Sequence, residues 1–177
     1  MAKGFNLKIN KKYLIVLGIA LLFLLIFKQV FFIVVLSILS FIISYIINNL
    51  RIKTIGLELV TLSAVLTGKV YGSFLGMVVG LILMVFHLFM SGYMGLYILW
   101  VLPSYGLIGI LAGIFSHVNI ISLGISLTIL LNVIYLSFTF IMTPGRVPKL
   151  LPYSITNIII NIIFFTSIGN ILVSLMK

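Results

Sequence analysis

Apolar residues in this chain come in long unbroken runs, and none of the runs alternates polar with apolar positions. They cover 13–27, 30–48, 55–67, 70–90, 94–115, 119–142 and 152–176. A helix crossing the hydrocarbon core needs about 20 residues at a rise of about 1.5 Å each, within a range of about 17–25. The second run and the last four have this length. The first is short and stops at Lys28-Gln29, and the third is shorter still, lying between Arg51 and Lys53 on one side and Gly68-Lys69 on the other. Such a run predicts a crossing of a thinned or protein-lined region, or a re-entrant element. Strands of a membrane barrel would alternate lipid-facing and lumen-facing residues. Continuous runs instead predict an all-α polytopic transmembrane bundle with six spans, or seven apolar segments. The loop Thr143-Pro144-Gly145-Arg146-Val147-Pro148-Lys149 has two prolines and a glycine and is expected to break the helix. The expected organisation is a basic N-terminal tail over 1–12 and a single transmembrane helical domain over 13–177. An apolar run follows the basic N-terminus with no small-residue cleavage site, so it reads as a retained helix rather than a signal peptide.

Composition narrows the class. The 177 residues are 63% hydrophobic and 7% charged, with a mean hydropathy of +1.44. Soluble domains are about half apolar and about a quarter charged, so the chain lacks the polar residues to cover a water-soluble core. Disorder, which needs low hydrophobicity and high charge, is excluded as well. With no cysteine, disulfides, thiol nucleophiles, iron–sulfur clusters and Cys-ligated zinc are excluded.

Eleven Lys plus Arg stand against one acid, Glu58. In a soluble protein a net charge of +10 would suggest nucleic acid. Here the bases flank apolar runs, where they orient spans and attract anionic lipid, so no nucleic-acid partner is expected. Orientation has two solutions. If all seven runs span, Lys3, Lys8, Lys11, Lys12, Arg51, Lys53, Arg146 and Lys149 lie inside, and Lys28, Lys69 and Lys177 outside, which obeys the positive-inside rule. If 13–48 is one long element, there are six spans; Arg51, Lys53, Arg146 and Lys149 are then outside, with the N-terminal lysines, Lys69 and Lys177 inside.

Four features are candidates for function. Gly68, Gly72, Gly76 and Gly80 recur every four residues, which would put them on one face of the 70–90 helix for close backbone packing. Ser40 and Ser44 form a small-xxx-small pair, read as a face for a partner subunit or as internal packing. Glu58, the only acid, is either an interfacial carboxylate paired with Arg51 or Lys53, or a site residue that touches a ligand or positions those bases. Arg51/Lys53 and Arg146/Lys149 either anchor helix ends or, in the six-span topology, form an anion-receiving mouth. The last feature is a polar and aromatic set: His87, Tyr93, Tyr97, Trp100 and Tyr105, with Asn157 and Asn161 one helical turn apart. These residues form an interfacial belt or wall a pocket that stacks on a flat ligand while the asparagines orient it. One carboxylate and two separated histidines supply neither paired acids, a metal cluster nor a proton relay, so neither catalysis nor a bound metal or cofactor is expected.

Residues 56–80 resemble the substrate-binding S components of energy-coupling factor transporters. They have the same order: an acidic residue (Glu58), a short apolar helix, a Gly-containing turn at Gly68-Lys69, and a GxxxG-type helix with Gly72, Gly76 and Gly80. Gly-rich 106–113, a plain helix, a Pro-containing loop and a last helix with Leu151-Pro152-Tyr153, Asn157 and Asn161 extend the resemblance over roughly residues 30–177. It implies a six-helix protein that captures a vitamin or other small nutrient. It also implies pairing with a transmembrane coupling subunit driven by ATPases. Mapped onto this chain, the family's pocket regions hold Arg51, Lys53, Glu58, Tyr97, Trp100, Arg146, Lys149, Asn157 and Asn161. The family's Ala-xxx-Ala docking motif is absent, with Ser40-xxx-Ser44 as the nearest substitute, and the 13–27 run is additional. Ser91-Gly92-Tyr93-Met94-Gly95-Leu96-Tyr97 also resembles a loop of rod-shape-determining membrane proteins of the D type, which implies a scaffold without a transported ligand.

Overall fold

The computed structural model describes residues 27–50, 55–92 and 95–177, together with Lys12, Val16 and Gly18. The expectations on Lys3, Lys8, Lys11, Arg51, Lys53 and Tyr93, and most of the 13–27 run, fall outside these. Among the described residues the fold is all-α. Helix α1 is Lys28–Asn49, α2 Val60–Tyr71, α3 Ser73–Ser91, α4 Ile98–Ile114 and α5 Ile120–Met142. A 3-10 turn, Pro144–Arg146, leads into α6, Val147–Phe164; a π-helical turn, Phe165–Gly169, joins it to α7, Asn170–Met176. Four stretches are long and apolar enough to cross a membrane: α1, α3, α5 and the continuous Pro144–Met176. This marks a membrane protein. Helix α4 has 17 residues because turns occupy 95–97, and α2 has only 12.

Helix α2 explains its own shortness. Every residue from Val60 to Gly68 is buried, and the helix touches every other described helix. It is surrounded by protein, so the length rule for a lipid-facing span does not govern it. The run also does not stop at Gly68-Lys69 but continues to Tyr71. There the chain reverses at Gly72, with φ 101° and ψ 161°, a backbone region essentially reserved for glycine.

The glycines therefore do not share one helix face. Gly68 lies on α2, Gly72 makes the turn, and Gly76 and Gly80 lie on α3. The fold-back presses Gly76 against Gly68, where a Cβ on Gly76 would lie 2.5 Å from the Gly68 Cα. Gly109 of α4 closes the same knot, since a Cβ there would lie 2.3 Å from the Gly76 carbonyl oxygen. Gly72→Ala, placed in a conformation that costs other residues about 1–3 kcal/mol, is expected to lower stability by that amount. Thermal unfolding in detergent, followed by the fluorescence of the single tryptophan, Trp100, checks this.

The 143–149 loop breaks the helix only as far as Arg146. Val147 already begins α6, and Pro148 sits in its first turn, where a missing N–H costs nothing. Ser40 and Ser44 are each only 1% exposed and point into the bundle, with Ser40 Oγ 3.1 Å from Ser63 Oγ and Ser44 Oγ 2.8 Å from His87 Nδ1. The exposed face of α1 carries Val34, Ile38, Ile42 and Tyr45 instead. A small polar pair in an apolar helix turns inward because its hydroxyls find partners only there.

The same rule orders the whole molecule. Among the described residues, large apolar side chains such as Phe74, Phe89, Leu99, Phe140, Ile159 and Ile171 face outward, while His87, Glu58 and a set of Ser, Thr and Asn side chains share the interior with the apolar core. The described cations sort to opposite ends. Arg146 and Lys149 stand at one end; at the other, Lys69 Nζ donates to the carbonyls of Ser116 and Val118, with Lys177 close by. Both orientation schemes put these pairs on opposite membrane faces.

Candidate functional site

A cavity of about 540 Å³ opens at the Arg146/Lys149 end of the bundle. Helical spacing places its walls. Helix α3 contributes Met84, His87, Leu88 and Ser91, and α4 contributes Val101, Ser104 and Tyr105 below Tyr97. Helix α5 contributes Leu131, Asn132, Tyr135, Thr139 and Thr143, a stripe at three- and four-residue steps. Tyr153, Leu150 and Pro152 come from the start of α6, and Ile47, Asn48 and Ile55 from the segment around the end of α1. At 1.5 Å per residue, the wall along α5 from Thr143 down to Asn132 is about 16 Å deep.

The rim is basic and the walls are aromatic. Arg146 and Lys149 are exposed at the mouth, and the Arg146 guanidinium lies beside Gly95 in the turn before α4. Four tyrosines, Tyr97, Tyr105, Tyr135 and Tyr153, line the cavity; the rings of Tyr135 and Tyr153 meet edge-on with centroids 6.4 Å apart. Phenol rings present flat apolar faces while their hydroxyls keep polar partners. Tyr153 lies next to Tyr105, and Tyr105 next to Thr61.

Beneath the cavity lies a polar network around Glu58. Its side chain is 0% exposed. Thr61 N donates to Oε2 at 2.9 Å, the Thr61 hydroxyl donates to Oε1, and Asn157 Nδ2 donates to Oε1 at 3.1 Å. Asn157 Nδ2 also donates to the Gly56 carbonyl at 3.0 Å, and Asn132 Nδ2 donates to Asn157 Oδ1 at 2.9 Å. The 55–59 segment lies so close to α6 that a Cβ on Gly56 would come within 2.3 Å of the Tyr153 carbonyl oxygen. Glu58 thus ties the entry of α2 to α6, and through α6 to α5.

Of the residues singled out from sequence, His87, Tyr97, Tyr105, Arg146 and Lys149 line the cavity. Glu58, Trp100, Asn157 and Asn161 do not. Trp100 backs the wall instead, its Nε1 donating to Thr139 Oγ1 at 3.3 Å. Asn157 supports Asn132 from behind, and Asn161 is fully buried one turn deeper, its Nδ2 donating to the Asn157 carbonyl. Arg51 and Lys53 lie outside the described residues. Asn132, Tyr135, Thr139 and Tyr153 are cavity residues not singled out from the sequence. The signal for the first three was present in the spacing Thr128, Asn132, Tyr135, Thr139, Thr143, a polar stripe on one face of an otherwise apolar helix. Among the described residues no three His, Asp or Glu side chains are grouped to hold a metal.

Fold and site together define a helical-bundle membrane protein with a basic-rimmed, aromatic-walled cavity of ligand size at one end. Comparison with known proteins finds no matching family model, no matching curated protein and no matching solved structure.

Proposed function

We propose that the chain is a membrane-embedded substrate-binding subunit of the energy-coupling factor type, spanning the cell membrane six times and capturing a small anionic, aromatic nutrient without chemistry. Uptake would proceed by tilting against a transmembrane coupling subunit driven by ATPases. One observation carries this reading: a cavity of about 540 Å³ with a basic rim and tyrosine walls, within the size and character of small-molecule sites. A rod-shape-type scaffold has no need of such a space. The cations at the rim attract an anion, and the tyrosines stack on its ring.

The test is equilibrium binding of aromatic carboxylates of graded length (benzoate, 2-naphthoate, biphenyl-4-carboxylate) to the detergent-purified chain, with mass spectrometry of small molecules that co-purify. At least one acid is expected to bind. The double variant Arg146→Ala/Lys149→Ala is expected to weaken it about tenfold, equivalent to about 1.4 kcal/mol, and to leave the matching neutral amide unaffected. If no acid binds and nothing co-purifies, the scaffold reading replaces this one.

A further inference from the structure

The floor of the cavity has a fixed hydrogen-bond polarity, set by two acceptors that do not line it. Asn132 is 3% exposed and is the deepest polar residue of the α5 wall. Both of its amide hydrogens are committed: Nδ2 donates to the Thr128 carbonyl at 2.9 Å and to Asn157 Oδ1 at 2.9 Å. Its Oδ1 has no hydrogen-bond partner among the described residues and is the polar atom left for the cavity.

That orientation is fixed by the Thr128 carbonyl, which can only accept, and is reinforced through Asn157 by Glu58. The two Glu58 oxygens accept from Thr61 and Asn157, so Asn157 must turn its Nδ2 toward Glu58, where the Gly56 carbonyl takes the other hydrogen. Asn157 Oδ1 then faces Asn132 and can only accept, which turns the Asn132 Nδ2 away from the cavity. Each amide has one donor end and one acceptor end, so fixing the first fixes the second.

We propose that Asn132, its Nδ2 held by the Thr128 carbonyl and by Asn157 Oδ1, presents its own Oδ1 as a hydrogen-bond acceptor at the cavity floor, so that the ligand is a flat anion carrying an O–H or N–H donor at the end remote from its acidic group. The inference rests on the binding function proposed above and specifies its substrate class. The acidic group meets Arg146 and Lys149 at the rim. The donor meets Asn132 about 16 Å below at 1.5 Å per residue, less the inward reach of the two basic side chains. An aromatic body spans the tyrosines between.

The test uses matched pairs: 4-hydroxybenzoate, 6-hydroxy-2-naphthoate and 4′-hydroxybiphenyl-4-carboxylate, each against its O-methyl ether, titrated into the purified full chain. The hydroxy acid that fits the depth is expected to bind about ten- to a hundredfold more tightly than its ether, the cost of leaving a buried acceptor unpaired. Asn132→Leu keeps the shape and removes the acceptor, so the preference is expected to disappear. Asn157→Asp keeps an acceptor toward Asn132, so the preference is expected to survive even where both affinities fall. A general loss of stability would weaken both members of a pair alike and leave their ratio unchanged. Equal binding of hydroxy acid and ether by the unmodified chain overturns the proposal while leaving the binding function standing. A preference that persists in Asn132→Leu overturns the proposal as well. Failure of every acid and ether to bind overturns the binding function itself.

Discussion

Gly109→Val is expected to abolish the folded bundle rather than weaken it. A Cβ at position 109 would already lie 2.3 Å from the Gly76 carbonyl carbon and oxygen and 2.6 Å from Met77 N. These are backbone atoms on the facing helix, so no side chain can swing aside. Gly68 of α2 presses on Gly76 from the other side, with a 2.5 Å clearance of the same kind, and blocks retreat in that direction. Helices α3 and α4 must therefore separate, losing contacts with α2 that no other surface replaces. Overpacking a well-packed core costs about 1–3 kcal/mol and occasionally more; against rigid backbone on two sides we expect the upper end of that range or beyond. The measurement is yield in the membrane fraction and a cooperative unfolding transition by Trp100 fluorescence, both of which should vanish. Gly145→Ala is the control: nothing lies within 4 Å of a Cβ there, and no change is expected. A folded Gly109→Val protein with a transition near that of the unmodified chain would mean that the three helices do not meet as described.

The second large effect is at Glu58. Glu58→Ala removes the acceptor for Thr61 N, the Thr61 hydroxyl and Asn157 Nδ2 at a site with no exposure to solvent. A buried donor left unpaired costs about 1–3 kcal/mol. Asn157 retains the Gly56 carbonyl, so the orphaned groups are fewer than the lost bonds. A net loss of about 2–4 kcal/mol is expected, read as a shift in the thermal or denaturant midpoint. Glu58→Gln, which preserves shape and one acceptor, is expected to lose less. Alanine and glutamine variants as stable as the unmodified chain would show that the carboxylate is not the hub of the network.

How far the chain could be read unaided depends on where each signal lives. The runs 30–48 and 119–142 became α1 and α5 almost residue for residue, because lipid imposes one requirement on a span, length in apolar side chains. The run 55–67 was ambiguous because hydropathy does not distinguish lipid neighbours from protein neighbours, and α2 has only the latter. The glycine spacing announced close packing correctly but assigned it to one helix. The turn at Gly72 distributes it over two, and Gly109 supplies a partner that lies far along the chain. Ser40 and Ser44 showed a small polar face without showing which way it turned. Glu58 stood out as the only acid, yet its partner Asn157 is 99 residues away, a pairing that no local pattern contains.

By itself, the sequence determined the class of molecule: an all-α membrane protein with its bases at helix ends. Composition and run length suffice for that, because they set the solvent in which the chain is stable. The tertiary structure alone decided that the polar residues of six separate segments converge on one cavity, and that a buried carboxylate and two backbone carbonyls orient the asparagines beneath it. Period along a helix shows that a polar stripe exists. Only packing shows what the stripe faces, since a hydrogen-bond partner is fixed by the meeting of helices and not by distance along the chain.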